Sequence, residues 1–450
     1  MKDSKNTQKE SQITRRSFVG NTTKTAAGAA ALSALPIERF AHAASPGDTI
    51  KLGLVGCGGR GTGAARQNMH TSAEGVKLVA MGDVFRDQLD KSYNNLKKSK
   101  DKQVQVKEEN KFVGFDAYKK VIEQCDLVIL ATPPGFRPYM FEEAVKQGKN
   151  VFMEKPVATD GPGVRKVLEV AKIADQKGLK VGVGLQRHHH AGYEETMKRL
   201  KDGAIGDFVS MRAYWNSGGV WDPRMKRGDE KSELEYQLRN WYYYNWVCGD
   251  HITEQHIHNL DVINWLKDGF PVLARGMGGR QVRTDKKYGE IFDHHAVEYQ
   301  YEDGTWMFSQ CRHIRGCFNS VSEHVQGTKG RCDINKFQIR ADDGNNWRYK
   351  GKRIDAHQDE HYPLVEAIRN NEKYNEAYYG AKSTLTSIMG RMATYTGKEV
   401  TWEKALNSKI QLMPDKVTWE TVPPTAPDAE TGEYPIPTPG DAMWARKVIG

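Results

Sequence analysis

Lys155, Glu254 and His258 are the side chains whose surroundings in the sequence best suit proton chemistry. Lys155 follows the apolar run Val151-Phe152-Met153 and Glu154, and precedes Pro156. Such a run reads as a buried strand, and the proline biases Lys155 towards extended backbone, which puts the ammonium at a strand's carboxyl end. Ligands bind there in an open α/β sheet. Partial burial and a neighbouring cation lower a lysine pKa from about 10.4 towards neutrality, as an acid/base role needs. A surface lysine after an edge strand is the bland alternative.

Glu254, His258 and Asp261 fall at i, i+4 and i+7, beside the apolar set Ile257, Leu260, Ile263 and Leu266. The spacing predicts a helix buried on its apolar side, with a second stripe that could aim a carboxylate and an imidazole into a cleft. The segment also admits satisfied structural histidines, or a divalent-metal site drawn from Asp250, His251, Glu254, His256 and His258. Its spacing fits no standard zinc signature, and no metal is expected.

The chain ahead of Lys155 reads as the scaffold for these groups. Residues 49–55 form a short strand, and Gly56-Cys57-Gly58-Gly59-Arg60-Gly61 satisfies G-x-G-x-x-G ahead of a helix to His70. Glycines allow the tight turn and the close approach of a pyrophosphate to the helix N-terminus. A second strand, 76–81, leads to Asp83, 22 residues beyond Gly61. That spacing suits a carboxylate that accepts from ribose hydroxyls and repels a 2′-phosphate, so NAD is expected rather than NADP. The apolar strand 126–131 stops at Thr132-Pro133-Pro134, which puts backbone where the nicotinamide half would pass. The expected cofactor contacts are Gly56, Gly58, Gly59, Arg60, Gly61, Asp83, Thr132, Pro133, Pro134, Glu154 and Lys155.

Taken together, the glycine turn, Thr132-Pro133-Pro134, Glu154-Lys155-Pro156 and the histidine motif resemble the Gfo/Idh/MocA oxidoreductases, the family of glucose-fructose oxidoreductase and inositol dehydrogenase. The resemblance covers nearly all of the chain after residue 44. It implies an α/β protein: a Rossmann domain at 45–184, then an α+β domain at 185–413. That second domain would carry a large open, mainly antiparallel sheet, with helices packed back on the first. It implies His258 as acid/base, Lys155 holding and polarising the substrate hydroxyl, and Glu254 in place of the family's usual aspartate, one methylene longer. A carbohydrate or cyclitol substrate and a homodimer or homotetramer follow from the same resemblance, whereas tightly held NAD is what export to a compartment with little free cofactor would require.

Trp215, Trp221, Trp241, Tyr242, Tyr243, Tyr244 and Trp246 fall within 32 residues and suit either sugar faces or core packing. Arg187, Asp261 and Trp221 are the expected substrate contacts, and Arg187-His188-His189-His190 reads as cleft lining. Alternating residues at 296–301 and 305–310 around Glu302-Asp303-Gly304 predict a hairpin. Residues 414–450 hold seven prolines and read as an extended tail.

Residues 1–44 read as a twin-arginine export leader: Arg15-Arg16, a mild apolar stretch, then Ala41-His42-Ala43. Folded export through that machinery to the periplasm is compatible with a cofactor carried inside. Of the net charge of +9, +4 belongs to this leader, and the basic stretch 91–111 is local, so no nucleic-acid surface is expected. No later segment is apolar enough to span a membrane, and the six cysteines do not suggest a disulfide framework.

Three readings compete. The first is an exported oxidoreductase that moves a hydride between a sugar carbinol and bound nicotinamide. The second is a redox-neutral, NAD-dependent glycoside-cleaving enzyme that oxidises, eliminates, adds water and reduces. The third is a non-catalytic sugar-binding module.

Overall fold

The computed structural model describes residues 48–72, 75–352 and 355–450. The expected leader lies outside the described residues.

The first six strands are β1 (Ile50–Val55), β2 (Val76–Asp83), β3 (Lys111–Val113), β4 (Leu127–Leu130), β5 (Asn150–Met153) and β6 (Val181–Val183). They form one parallel sheet in the order β3-β2-β1-β4-β5-β6. Helices α1 (Gly59–His70), α2 (Arg86–Lys100), α3 (Ala117–Gln124), α4 (Arg137–Lys146) and α5 (Gly161–Gln176) connect them. Leu127, Val128, Ile129 and Leu130 in β4 are all fully buried, as a strand covered on both faces requires. The strand order reverses between β1 and β4, so a crevice opens above their carboxyl ends.

A second sheet of nine strands follows. Its members are β7 (Phe208–Ser217), β8 (Leu273–Gly279), β9 (His294–Gln300), β10 (Trp306–His313), β11 (Ser320–Gly327), β12 (Gly330–Asp333), β13 (Gln338–Ala341), β14 (Trp347–Arg348) and β15 (Val400–Thr401). Their order is β14-β13-β12-β11-β7-β10-β9-β8-β15, and only the β7–β10 pair is parallel. The expected hairpin joins β9 to β10. Along it Val297, Tyr299, Met307 and Cys311 face the core while Glu298 and Phe308 face outward, the alternation of a sheet with one covered face.

The helix Ala377–Thr396 packs against both β8 and α5 and so joins the two sheets. Its small residues permit the close fit; a Cβ on Gly380 would meet the Val183 side chain at 3.0 Å. Leu385, Ile388 and Met389 are fully buried, each stabilising by about 1.5–3 kcal/mol. Arg391 on this helix donates to the carbonyls of Gly249 (2.9 Å) and Thr159 (2.7 Å). Val157 N–H donates to Thr384 Oγ1 at 3.2 Å, which anchors the chain just beyond Lys155.

The proline-rich tail lies on its own molecule: Thr425 Oγ1 donates to Glu290 Oε2 at 2.7 Å and Gln237 Nε2 to the Thr425 carbonyl at 2.6 Å. The tail is not extended throughout. It closes in a helix, Ala442–Val448, because no proline follows Pro439 and Asp441 Oδ1 caps Met443 and Trp444 N–H at 2.6 and 3.1 Å. All six cysteines are free, Cys317 alone being exposed. Among the described residues no helix is long and apolar enough to cross a membrane.

Candidate active site

A cavity of about 800 Å³ lies above the carboxyl ends of β1, β2, β4 and β5. Its sheet-side lining includes Gly56, Gly58, Gly59, Arg60, Gly61, Asp83, Thr132, Pro133, Pro134, Glu154 and Lys155, and its far side Trp215, Trp221, Trp241, Glu254, Gln255 and His258. Two residues expected at the substrate, Arg187 and Asp261, are not in the lining.

The β1–α1 turn has the shape a pyrophosphate needs. Gly56 adopts φ 91°, and a Cβ on Gly61 would fall 2.0 Å from the Gly56 carbonyl oxygen, so neither position accepts a side chain. Around Gly58 and Gly59 a Cβ would meet nothing within 4 Å, which leaves the turn open to a ligand. No side chain caps the helix that begins at Gly59, so its first N–H groups remain available to an anion.

Asp83 is held by the same turn: Cys57 N–H donates to Oδ2 at 2.7 Å and Phe85 N–H to Oδ1 at 2.9 Å. Burial raises its pKa against the pull of these amides. Each oxygen keeps acceptor capacity for a ribose hydroxyl. Arg137, buried and absent from the sequence-based set, donates to the carbonyls of Leu130 (2.6 Å) and Thr132 (2.7 Å) and fixes the turn after β4. Burial brings its pKa down to about 10.

Arg60 Nε lies 3.0 Å from Glu154 Oε1, and Glu154 in turn rests on Gly184, where a Cβ would fall 2.6 Å from its carboxylate. The next residue, Lys155, has its Nζ 3.1 Å from Glu254 Oε1 and also donates to the Glu254 carbonyl. The Lys155–Pro156 peptide is cis.

His258 is 8% exposed, with its ring stacked beside Trp215 at 6.1 Å between centroids. Burial, then the charges of Lys155 and Arg187, push its pKa well below the usual imidazole value. The ring is therefore neutral at physiological pH, and Nδ1 makes no hydrogen bond within the protein.

The helix carrying this motif is not continuous as the spacing predicts. One short helix, His251–Glu254, ends at Gln255, and a second, Ile257–Lys267, begins two residues later. At the break both Gln255 N–H (3.0 Å) and His256 N–H (3.1 Å) donate to the His251 carbonyl, the latter an i→i−5 bond. The wide turn changes the phase of the stripe. Glu254 and His258 still share the cavity, but Asp261 turns away and accepts from His188 Nε2 (2.8 Å) and Ser383 Oγ (2.7 Å).

The expectation that Arg187 to His190 line the cleft is also corrected. Arg187 pairs with buried Glu323, His188 with Asp261, and His189 Nε2 with Glu376 at 2.9 Å, while His190 Nδ1 accepts from Gly192 N–H at 3.0 Å. Each polar group found a partner outside the cavity. Nor do the residues first weighed as a metal set converge: His256 Nε2 bonds Ser309 Oγ at 2.7 Å, whereas Asp250, His251 and His295 bring their donor atoms within 4.8 Å of one another. The Asp250 carboxylate there accepts from Phe292 N–H (3.0 Å), Tyr395 Oη (2.5 Å) and His251 Nδ1 (2.7 Å).

Several cavity residues carried no sequence signal. Arg239 pairs with Asp87 through two 3.0 Å bonds and lies 3.9 Å over Phe85, closing the lip near Asp83. Trp419 of the tail packs on Phe85 and Phe115 at 6.0 and 5.0 Å between ring centroids. Gln255 and Arg224 complete the far side; the Arg224 guanidinium lies 4.1 Å over Trp221.

Comparison with known proteins agrees with this geometry. Residues 50–185 match the GFO_IDH_MocA model, an oxidoreductase family with an NAD-binding Rossmann fold. A 2,7-anhydro-N-acetylneuraminate hydratase of Mediterraneibacter gnavus is 24% identical over 60% of the chain and 64% of its own length. An inositol 2-dehydrogenase of Agrobacterium fabrum is 26% identical over 57% of the chain and 65% of its own. The matched segment thus spans just under two-thirds of each of these relatives. A scyllo-inositol dehydrogenase from Lactobacillus casei, solved with NAD(H) and scyllo-inositol, shares the fold at TM-score 0.59 and 22% identity, over 79% of this chain and 99% of its own. The match to this oxidoreductase family falls on the parallel-sheet region that carries the glycine turn and Asp83.

Proposed function

We propose that the protein is an exported oxidoreductase that uses tightly held NAD to oxidise and reduce a carbinol of a sugar, cyclitol or sugar derivative. The observation that carries the reading is the convergence of Lys155, Glu254 and His258 on one cavity with the glycine turn. Relatives named for inositol and for an anhydro-sugar support the substrate class. Arg15-Arg16 and Ala41-His42-Ala43 support the periplasm.

Bound NAD would supply the hydride acceptor and donor, held by the turn 56–61, Asp83 and Thr132 to Pro134. The chain's own part is to manage one proton and the position of one oxygen. Neutral His258 accepts the carbinol proton as a general base; in the reverse direction the imidazolium returns it. Lys155 donates to the same oxygen and stabilises the negative charge that develops on it. Glu254, bonded to Lys155 at 3.1 Å, holds the ammonium in place and balances its charge. The tryptophans opposite offer flat faces to the C–H side of a ring. Trp419, packed on the lining residues Phe85 and Phe115, and the Arg239–Asp87 bridge brace that end of the cavity and would slow release of the nucleotide.

A redox-neutral reading, in which one cofactor serves both oxidation and reduction within a cycle, is favoured by the hydratase relative. One experiment separates the two. Protein is purified from the periplasm and denatured to identify released nucleotide, and absorbance at 340 nm is followed with myo-inositol, glucose and methyl glucosides. Net oxidoreduction expects NADH to accumulate until a second carbonyl compound is added. Redox-neutral chemistry expects glycoside cleavage without accumulation. Absence of any bound or bindable nucleotide would reject both.

A further inference from the structure

Gln255 lies between the two halves of the broken helix and lines the cavity between Glu254 and His258. Its side-chain orientation is fixed by a chain of partners whose proton positions follow from chemistry. Arg283, 5% exposed, places Nη2 2.5 Å from His313 Nδ1. A guanidinium only donates, so Nδ1 is the acceptor. His313 is buried and kept neutral by that burial and by the charge of Arg283, so its one proton sits on Nε2. That nitrogen is 2.6 Å from Gln255 Oε1, which accepts from it. The carboxamide oxygen is thereby committed to His313, and the –NH₂ is the end left for the cavity.

Arg283 is itself fixed. Asp293 Oδ2 accepts the N–H groups of Gln281, Val282 and Arg283 at 2.7, 2.7 and 3.0 Å, which clamps the loop that carries it. His313 is further held by stacking on His251 at 4.3 Å. The assembly stores its orientation in buried side chains, and nothing needs to reorganise when a ligand arrives.

We propose that Gln255 is a specificity-determining residue, whose amide N–H groups, aimed by the Arg283–His313 pair, donate to a hydroxyl or carbonyl oxygen of the sugar next to the reacting carbinol. This rests on the proposed carbinol chemistry. Gln255 binds the substrate, and His313 and Arg283 are positioning residues that act through it. A polyol with an oxygen at that position is preferred over its deoxy analogue, because the aimed donor would otherwise face an empty site.

The test compares wild type with Gln255→Leu, His313→Phe and His313→Gln. Hydride transfer is followed at 340 nm with myo-inositol, glucose and methyl glucosides, and then with the mono-deoxy derivatives of the best of these. NADH binding is measured by fluorescence in each variant. Gln255→Leu is expected to lower kcat/KM by roughly 30-fold with unchanged NADH affinity. For one deoxy derivative alone, that loss should vanish. His313→Phe should reproduce the loss, and His313→Gln, which can still donate to Gln255, should restore most of it. The proposal is overturned if Gln255→Leu turns over the parent sugar like wild type, or if it loses equally on every deoxy derivative. If wild type binds NADH but reduces NAD with no sugar in the panel, the carbinol reading itself fails, and the proposal with it.

Discussion

On the sheet side of the cavity the ligand would meet mostly backbone: the turn 56–61, the N-terminus of α1, and the ends of β2 and β4. On the far side it would meet side chains held by other side chains: Glu254 on Lys155, Gln255 on His313 and Arg283, Trp221 under Arg224. A wall of backbone is specified by a few local residues, glycine above all, because only the main-chain path must be right. A wall of side chains is specified by partners far away in sequence, here up to 99 residues for Lys155 and Glu254. Damage to the first should therefore cost cofactor binding, and damage to the second should cost chemistry or selectivity at full cofactor occupancy.

The largest expected effect is at the pair that bridges the two walls. Lys155→Met removes the ammonium that faces Glu254 and should lower kcat by about 10³-fold with NADH affinity retained, measured by steady-state rates and fluorescence titration. An equal loss of NADH binding would mean that Lys155 serves the backbone wall instead. Next comes Gly61→Ala, whose methyl must displace the Gly56 carbonyl; NADH affinity should fall about 100-fold, close to 3 kcal/mol.

The contrast explains what was legible in the sequence. The parallel sheet, the glycine turn and Asp83 could be read because their signals are local: strand, turn, helix, strand and acid within 34 residues of Ile50. The β9–β10 hairpin was readable for the same reason. Lys155, Glu254 and His258 came from spacing and family resemblance, and the structure does bring them to one cavity. The break at Gln255 was invisible, since it depends on a wide turn of backbone bonds to His251. Asp261 leaves the cavity with that break, and the Arg187–His190 run does not line the cleft because Glu323, Asp261 and Glu376 claim its side chains from remote positions.

Buried histidines behind the side-chain wall sharpen the comparison further. Burial lowers the pKa of His251 to about 4 and of His256 to about 3, against about 6.5 in the unfolded chain. Their folded values are depressed, so the stability they allow is complete above about pH 6.5 and is lost as pH falls towards 4. Thermal unfolding followed by circular dichroism should show a midpoint several degrees lower at pH 4.5 than at pH 7, and the His256→Gln variant should show a smaller drop. The smallest effect is expected at the cavity lip: Trp419→Ala should speed NADH release about fivefold, roughly 1 kcal/mol of aromatic contact, with kcat for a sugar unchanged or raised. A stopped-flow displacement experiment with excess NAD would measure it.

The most direct test of the account is a single turnover by His258→Asn. Wild type and variant are loaded with NAD, mixed with a saturating sugar, and followed at 340 nm while cofactor occupancy is confirmed separately. The expected result is one equivalent of NADH on wild type and a rate lower by about 10³-fold on a variant that remains fully occupied. NADH formation at the wild-type rate by the variant would contradict the assignment of His258 as the proton acceptor, and with it the division of labour between the two walls.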